Sequence, residues 1–290
     1  MPEPLDPESY RPLIRRALAE DIGAGDITTS ATVPLALQAE AAIVAKRPCV
    51  LAGLAIAEGV FAAVDSTIGW TPVRSDGDRC DAGTTVARLR GPARSLLTAE
   101  RTALNFLQHL SGIATLTREF VDAAGGRLSI LDTRKTIPTL RALAKYAVRC
   151  GGGANHRVSL DDGILIKDNH IRIAGGIEPA VRRMRAAWPG RAIEVETQSV
   201  EEVEAALAAG VDIIMLDNLD DGVVAAAIRR IAGRARVELS GNMTVDRVRR
   251  LAASGADCVS IGALTHSAPA ADLSLDIETV ASGPVAVDGP

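Results

Sequence analysis

The sequence contains few aromatic residues and no excess of positive charge. Only three Phe, two Tyr and two Trp occur among 290 residues, so the core must be built mainly from Ala, Val, Leu and Ile. Base stacking against single-stranded nucleic acid needs more aromatic rings than these. The net charge is −4 and the isoelectric point is near 5.7, which argues against a general nucleic-acid or anionic-membrane binder. We therefore expect neither a nucleic acid nor a membrane as a partner.

Paired cysteines and long apolar runs are also missing. The four cysteines stand apart without C-x-x-C spacing, which excludes the usual zinc and redox motifs, and we expect them to be buried thiols. No run of 18 apolar residues is present to span a membrane. The acidic, proline-rich first eight residues do not resemble a secretory signal. These absences predict a cytoplasmic protein.

The composition is that of a globular protein, with 47% apolar and 23% charged residues. The first part mixes short helical and strand-like patterns, which predicts an N-terminal α+β domain over residues 1–115. Its clearest elements are a helix over Tyr10–Glu20, strands over Ala39–Lys46 and Thr84–Leu89, and a helix over Leu96–Ser111. We expect the C-terminal segment 272–290 to join this domain, with a strand over Asp272–Ile277 and a loose tail over Ala281–Pro290.

Residues 116–271 alternate between short apolar runs and amphipathic helical stretches. The apolar runs are Leu128–Leu131, Gly163–Ile166, Ala192–Val195, Ile213–Leu216, Val237–Leu239 and Cys258–Ile261. The helical stretches are Leu140–Val148, Pro179–Trp188, Val200–Ala209, Val223–Ala232 and Val245–Ser254. This alternation is typical of a parallel sheet covered by helices, either a barrel or an open doubly wound sheet.

Polar or glycine-containing segments follow nearly every one of these runs. A β/α barrel collects such segments at the carboxyl ends of its strands, whereas a doubly wound sheet concentrates function at one switch point. The pattern therefore favours a parallel β/α barrel, although six units are evident where the standard barrel has eight.

A cationic cluster is the strongest functional signal. Residues 129–172 contain eight Lys or Arg and four acids in a chain whose net charge is negative. Arg141, Lys145 and Arg149 recur at helical spacing and are interpreted as a solvated face. The other candidates follow strands or lie in a glycine-rich loop, and they favour a ligand with at least two negative groups: Arg134, Lys135, His156, Arg157 and Lys167.

Two acids and two loops add to this cluster. Glu196 and Asp217 follow neighbouring strands, where they could cap helices, bind Mg²⁺ or sugar hydroxyls, or stabilise a developing positive charge. The loops Ser240-Gly241-Asn242 and Ser260-Ile261-Gly262 follow the last two strands. They could be ordinary turns, but their position favours a phosphate site made of backbone N–H groups.

Several longer segments resemble one known family. They are Asp132-Thr-Arg-Lys-Thr136, Lys145-Tyr-Ala-Val-Arg-Cys-Gly-Gly-Gly-Ala-Asn-His-Arg157, Leu165-Ile-Lys-Asp-Asn-His170, Ile214-Met-Leu-Asp-Asn218 and Ser260-Ile-Gly-Ala-Leu-Thr-His-Ser267, with Ala99-Glu-Arg-Thr-Ala-Leu-Asn105 in the first domain. The sequence resembles the quinolinate phosphoribosyltransferases over nearly its whole length. It departs at Thr139, where the family usually has glycine, and at Ala144, where a longer polar residue is common.

The resemblance implies an N-terminal α/β domain, a β/α barrel with fewer than eight strands, and a dimer or a hexamer built from dimers. The implied activity joins quinolinate to the ribose of phosphoribosyl pyrophosphate and releases pyrophosphate and CO₂, with Mg²⁺ as cofactor, for NAD synthesis. It implies substrate contacts for Arg101, Thr133, Arg134, Lys135, His156, Arg157, Lys167, Glu196, Asp217 and the residues of the two loops. Lys135, Glu196 and Asp217 would be catalytic, and Glu196 and Asp217 would be the metal ligands, directly or through the pyrophosphate substrate. Arg101 would reach the site of the partner subunit.

Two other enzymes and one non-enzyme remain as alternatives. A related pyrophosphorylase found in molybdate-transport operons shares the fold and much of the pocket. A barrel aldolase or isomerase acting on a sugar phosphate would also need a late phosphate site, but not five clustered cations. A small-molecule sensor would not need Lys135 and both acids.

Overall fold

The structure, a computed structural model, describes residues 3–279. The predicted loose tail over Ala281–Pro290 lies outside the described residues. The described chain forms two compact units, one made of residues 3–115 and 269–279 and the other of residues 116–268.

The first unit begins with helices and then forms antiparallel strands. A short 3₁₀ helix covers Pro7–Ser9. The elements that follow are α1 Arg11–Ile22, α2 Ile27–Thr32, β1 Gln38–Ala45, β2 Cys49–Val50, α3 Leu54–Val64, β3 Gly69–Pro72, β4 Arg79–Cys80, β5 Thr85–Pro92 and α4 Ala93–Ala124. The sequence predicted only the first half of α4, over Leu96–Ser111, and Gly112 then interrupts the pattern of good helix formers.

The second unit alternates strands and helices. Its elements are β6 Ser129–Leu131, α5 Arg141–Cys150, β7 Ile164–Ile166, α6 Asp168–Ala174, α7 Ile177–Ala187, β8 Ile193–Thr197, α8 Val200–Ala208, β9 Ile213–Asp217, α9 Asp221–Ile231, β10 Arg236–Ser240, α10 Val245–Leu251, β11 Cys258–Ser260 and α11 Ala263–His266. The last described strand is β12 Leu273–Thr279.

The strand β12 belongs to the sheet of the first unit. That sheet has the order β12-β1-β5-β3, and β12 pairs antiparallel with β1. Along β1 the buried residues alternate with more exposed ones, as expected of an antiparallel strand with one face on the core. Strands β2 and β4 form a separate pair in which Cys49 lies opposite Cys80. All four cysteines are buried and carry free thiols.

Six parallel strands form the second sheet, and its order identifies an open barrel. The order is β6-β11-β10-β9-β8-β7, so the first strand in sequence pairs with the last. A doubly wound sheet would not bring those two strands together, whereas a barrel does. The barrel is open between its edge strands β6 and β7. On the β6 side, the described residues form only one isolated bridge, between Leu131 at the end of β6 and Ala154 in the loop before β7. The predicted fold class, an α+β domain followed by a parallel β/α barrel with fewer than eight strands, is confirmed.

Within residues 3–279 no helix is both long and apolar enough to cross a membrane.

Gly112 explains why α4 can pass the point where the sequence pattern breaks. A Cβ atom at this position would lie 2.1 Å from the Pro269 carbonyl oxygen, so the backbone of the segment after α11 packs directly on the helix. Only glycine permits that approach, and the free energy of packing outweighs the low helix propensity of glycine.

We predict that Gly112→Ala lowers the free energy of unfolding by about 2 kcal/mol or more, because the backbone atoms it meets cannot move aside cheaply. The matched control is Gly222→Ala in α9, where an added Cβ has no neighbour within 4 Å. That control should leave stability unchanged or raise it by about 0.5–1 kcal/mol. Chemical denaturation measures both, and equal effects at the two positions would contradict the packing argument.

Candidate functional site

A small cavity of about 120 Å³ lies at the carboxyl ends of the barrel strands. Eight of its ten lining residues are ones that the sequence analysis selected: Thr133, Arg134, Lys135, His156, Arg157, Lys167, Ser240 and Ser260. The other two, Leu165 and Met215, are apolar. The structure therefore brings together cations from the ends of β6 and β7 and from the loop before β7, which are separated by up to 33 positions in sequence.

The remaining predicted residues of the second unit end or follow barrel strands but do not line this cavity. Glu196, at the end of β8, is buried and paired with the Lys167 ammonium group. Asp217 ends β9 beside Ser240 of β10, and its Oδ2 accepts a hydrogen bond from Asn218 Nδ2 at 2.8 Å. A Cβ at Gly262 would lie 3.0 Å from Lys135 Cδ, so the loop after β11 approaches the Lys135 side chain.

Arg101 lies on α4 in the first unit and its side chain is exposed. Its role in the site stays a prediction.

The predicted phosphate donor Ile261 is already occupied. Its backbone N–H donates to the Leu131 carbonyl at 2.9 Å, and its side chain is buried. The prediction that this N–H binds phosphate was wrong, because the hydrogen bonding between β11 and β6 continues one residue past the strand.

The loop after β10 has a backbone conformation that requires glycine at position 241. Gly241 has φ of 87°, and a Cβ there would lie 2.2 Å from Asn218 Oδ1. Asn242 Nδ2 donates to the same Asn218 oxygen at 3.1 Å. Arg247 donates to the Gly241 carbonyl at 3.0 Å and to Asp221 Oδ1 at 3.0 Å. The loops after β9 and β10 are therefore fixed against each other, which keeps Asp217 and Ser240 in place.

Asp132, at the end of β6, holds the glycine-rich loop in place. It is fully buried, and its Oδ1 accepts from the ammonium of Lys145 and from the backbone N–H of His156 at 3.0 Å. Its Oδ2 accepts from Asn155 Nδ2 at 2.6 Å. Lys145 also donates to the His156 carbonyl at 2.8 Å. Burial raises the pKa of Asp132 and lowers the pKa of Lys145, but each is opposed by the hydrogen bond and charge of the other.

The interpretation of Arg141, Lys145 and Arg149 as a solvated face was wrong. Lys145 is 2% exposed because the whole stretch 143–148 of α5 is buried. The Arg141 guanidinium is half-buried and donates to the Arg134 and Val158 carbonyls and to Thr136 Oγ1. Arg149 donates to Asn155 Oδ1 at 2.7 Å. These three side chains support the loops that carry the cavity residues.

Thr139 has a backbone conformation that explains the family's preference for glycine here. Its φ is 69°, in the left-handed region, where a β-branched side chain is strained. The chain therefore tolerates strain in the loop between β6 and α5.

Two buried acids that were not selected from the sequence, Glu194 and Glu238, face His156. The His156 Nε2 atom lies 3.2 Å from Glu194 Oε2 and 3.5 Å from Glu238 Oε2. Each acid lies between two apolar residues of its strand, and a charged residue in such a position is the signal that could have identified them. Burial alone would lower the pKa of His156, but the two carboxylates outweigh it and raise that pKa to about 10.

The other ring nitrogen of His156 accepts a hydrogen bond. Arg157 donates its backbone N–H to His156 Nδ1 at 2.8 Å. We therefore assign the firmly held proton to Nε2, between the ring and the two carboxylates.

Among residues 3–279, His156, Glu194 and Glu238 are the only group of three or more potential metal-ligating side chains. Glu196 and Asp217 contribute a pair of carboxylates on adjacent strands. Mg²⁺ in proteins commonly uses one or two carboxylates and completes its octahedron with water and substrate phosphates. The pair therefore fits a magnesium ion that is shared with a phosphorylated substrate.

A larger cavity of about 450 Å³ lies next to β7, α6 and α7. Its lining is mainly apolar and includes the exposed side chains Leu160, Ile173 and Trp188. It shares Arg157 and Leu165 with the smaller cavity, but neither Glu196 nor Asp217 lines it. We therefore assign the chemistry to the smaller cavity.

Comparisons with known proteins cover both units. Residues 26–111 match the quinolinate phosphoribosyl transferase N-terminal domain family, and residues 113–276 match the corresponding C-terminal domain family. A carboxylating nicotinate-nucleotide pyrophosphorylase from Mycobacterium leprae is 43% identical over 277 residues, which cover 93% of this chain and 98% of that protein. A chloroplastic relative from Arabidopsis thaliana is 42% identical over 287 residues, covering 92% of this chain and 82% of that protein. The crystal structure of NadC from Streptococcus pyogenes is 44% identical, covers 96% of this chain and 99% of that one, and superimposes with a TM-score of 0.91.

We predict that Lys145→Met lowers the free energy of unfolding by about 3–5 kcal/mol, because it leaves the Asp132 carboxylate buried without a cation. The control is Arg182→Met, which removes one partner of the exposed pair with Glu178 in α7 and should cost about 0.5 kcal/mol or less. Denaturant unfolding compares the two variants. A small, equal loss in both would mean that the Lys145–Asp132 pair does not hold the loop.

Proposed function

Because the chain belongs to the quinolinate phosphoribosyltransferase family, we propose that it transfers the phosphoribosyl group of phosphoribosyl pyrophosphate to quinolinate. Pyrophosphate leaves first, CO₂ follows, and nicotinate mononucleotide is the product for NAD synthesis. The observation that carries this proposal is the cavity at the strand ends, where Arg134, Lys135, Arg157 and Lys167 meet.

Quinolinate carries two adjacent carboxylates, and the cation set suits such a dianion. Arg134 and Arg157 lie close enough for each charge to affect the other, and burial together with Arg134 lowers the pKa of Arg157. Two arginines in mutual repulsion gain most from a ligand that supplies negative charge to both. Lys167 contributes a third cation, and Lys135 bridges quinolinate and the pyrophosphate group.

The two acids act on the ribose. Glu196 and Asp217 bind ribose hydroxyls and stabilise the positive charge that develops at the anomeric carbon as pyrophosphate leaves. The Lys167 ammonium fixes the Glu196 carboxylate before substrate binds, so little reorganisation is needed in the transition state.

Mg²⁺, when bound with pyrophosphate, neutralises the charge of the leaving group. Glu196 and Asp217 would hold it, directly or through water. The phosphate groups of the substrate are held by Thr133 and by the backbone N–H groups of Ser240, Gly241, Asn242, Ser260 and Gly262. Ile261 does not contribute, because its N–H donates to the Leu131 carbonyl in the sheet. Decarboxylation leaves an electron pair next to the quaternised ring nitrogen, so the substrate itself provides much of the stabilisation.

The substrate preference tests this function. We predict that nicotinate, which lacks the 2-carboxylate, has a kcat/KM roughly 30- to 1000-fold below that of quinolinate, because one desolvated charge-assisted partner is lost at a cost of about 2–4 kcal/mol. Steady-state release of ¹⁴CO₂ from labelled quinolinate, with nicotinate in a parallel pyrophosphate assay, measures both. Comparable kcat/KM values for the two acids would favour the molybdate-operon relative. Turnover of a sugar phosphate without release of CO₂ from quinolinate would favour the aldolase or isomerase. Binding without turnover would indicate a sensor.

We further propose a cytoplasmic homodimer, or a hexamer built from dimers, in which Arg101 of each chain completes the partner's site. Arg101 is exposed on α4, as a residue offered to a second chain must be. A two-fold dimer places two equivalent sites at equivalent positions of the interface.

Mixed dimers test the role of Arg101. We predict that Arg101→Ala and Lys135→Ala homodimers are both nearly inactive, but that co-refolding equal amounts restores roughly a quarter of the wild-type activity, since about half the dimers then carry one complete site. Heterodimer formation is checked by two different affinity tags. If tagged heterodimers form and activity does not return, Arg101 acts within its own chain or has no role in the site.

A further inference from the structure

Asn218 directly follows Asp217, the acid that ends β9, and the proposed reaction gives it no role. Its backbone φ is 56°, in the left-handed region that asparagine and glycine adopt with least strain. Although Asn218 is exposed, its side chain makes two hydrogen bonds to two different loops. Its Nδ2 donates to Asp217 Oδ2 at 2.8 Å, and its Oδ1 accepts from Asn242 Nδ2 at 3.1 Å. An asparagine required only for the turn would need neither bond.

The orientation of the Asn218 amide is determined by its partners. A carboxylate only accepts hydrogen bonds, so the Nδ2 end faces Asp217 and the oxygen faces Asn242. A Cβ at Gly241 would lie 2.2 Å from Asn218 Oδ1, so the amide packs against the backbone of the loop after β10. The backbone N–H of Asn218 donates to the Ser240 carbonyl at 3.1 Å. Asn218 is therefore joined to that loop by both its backbone and its side chain.

The Asn218 amide orients the Asp217 carboxylate without adding a positive charge beside it. The other proposed ribose acid, Glu196, is instead held by the ammonium group of Lys167. Asp217 thus keeps its full negative charge for the positive charge that develops at the anomeric carbon. Its position matters, because a misplacement of about 1 Å in such a site can cost on the order of 100-fold in rate.

We propose that Asn218 is a positioning residue that fixes the Asp217 carboxylate relative to the phosphate-binding loop of residues 240–242. One amide then sets the distance between the acid that acts on the anomeric carbon and the loop that holds the phosphate of the same ribose. This proposal rests on the proposed function, the transfer of a phosphoribosyl group.

Two variants at this position separate the two hydrogen bonds. Asn218→Gly keeps the left-handed backbone but removes both bonds, whereas Asn218→Asp keeps the acceptor for Asn242 and loses the donor to Asp217. Release of ¹⁴CO₂ from labelled quinolinate at saturating substrate gives kcat, and calorimetry gives the Kd of quinolinate. We expect both variants to lower kcat about tenfold or more. The Kd of quinolinate should stay within about twofold, because the cations of its cavity are unchanged.

A double-mutant cycle tests whether Asn218 acts through Asp217. In an Asp217→Ala background, Asn218→Gly should cause no further loss of kcat, since the carboxylate that it positions is already absent.

The matched control is Ala232→Gly, which also places glycine at a left-handed residue, with φ of 48°. Ala232 follows the end of α9, and the helices of a β/α barrel end on the side away from the carboxyl ends of the strands. This control should leave kcat unchanged and the Tm equal or higher. The Tm of every variant is measured, and Asn218→Asp serves if Asn218→Gly does not fold.

Three results would overturn the proposal. Wild-type kcat in Asn218→Asp would mean that the bond to Asp217 has no effect on the reaction. A further loss of kcat in the Asp217→Ala background would mean that Asn218 does not act through this acid. A tenfold weaker Kd of quinolinate in either variant would indicate a general disturbance of the barrel mouth. Failure of the unmutated chain to release CO₂ from quinolinate would instead reject the proposed function, so the two failures are distinguishable.

Discussion

The carboxylate of Asp132 accepts hydrogen bonds from three residues, and the geometry of the barrel mouth depends on it. It directly follows β6, is fully buried, and accepts from the Lys145 ammonium, the Asn155 amide and the backbone N–H of His156. The loop of residues 151–157 contains three glycines, and at Gly152 and Gly153 the neighbouring side chains leave no room for a Cβ atom. Because one carboxylate binds both the helix before this loop and the end of the loop itself, His156 and Arg157 are placed at the edge of the sheet.

A second ionic group fixes the same loop from inside the barrel. Glu194 and Glu238 meet the far side of the His156 ring, so the residue is held by its backbone at Asp132 and by its ring at the two glutamates. Both groups use charges at positions where a barrel of this size would otherwise be filled with apolar side chains. The free energy spent on burying these charges reduces stability but defines one conformation for the cationic loop, which preorganises the site.

The fold could be predicted because its signals are local. Six apolar runs and the polar residues after them indicate a parallel barrel, and the order β6-β11-β10-β9-β8-β7 follows from closing the first strand on the last. The cavity cations could be selected because they follow strands. The pairing of Glu238 with His156 and the burial of Lys145 could not be predicted, because each depends on a partner 82 or 13 positions away that only the folded chain brings into contact. Ile261 was assigned to phosphate since sequence does not show that its N–H continues the β11–β6 pairing.

The two ionic groups, Asp132 with Lys145 and the two glutamates with His156, also determine where the negative charge of the protein lies relative to the cavity. Asp132 is paired with Lys145, and Glu194 and Glu238 both face Nε2 of the His156 ring, so these acids are directed at groups of the protein itself. Glu196 is matched by Lys167 at the rim. Arg134 and Arg157 remain next to each other at the cavity, each raising the electrostatic energy of the other. Attraction for a dianion therefore arises from the way the acids are distributed, since the same residues with Asp132 or Glu238 turned toward the cavity would repel it.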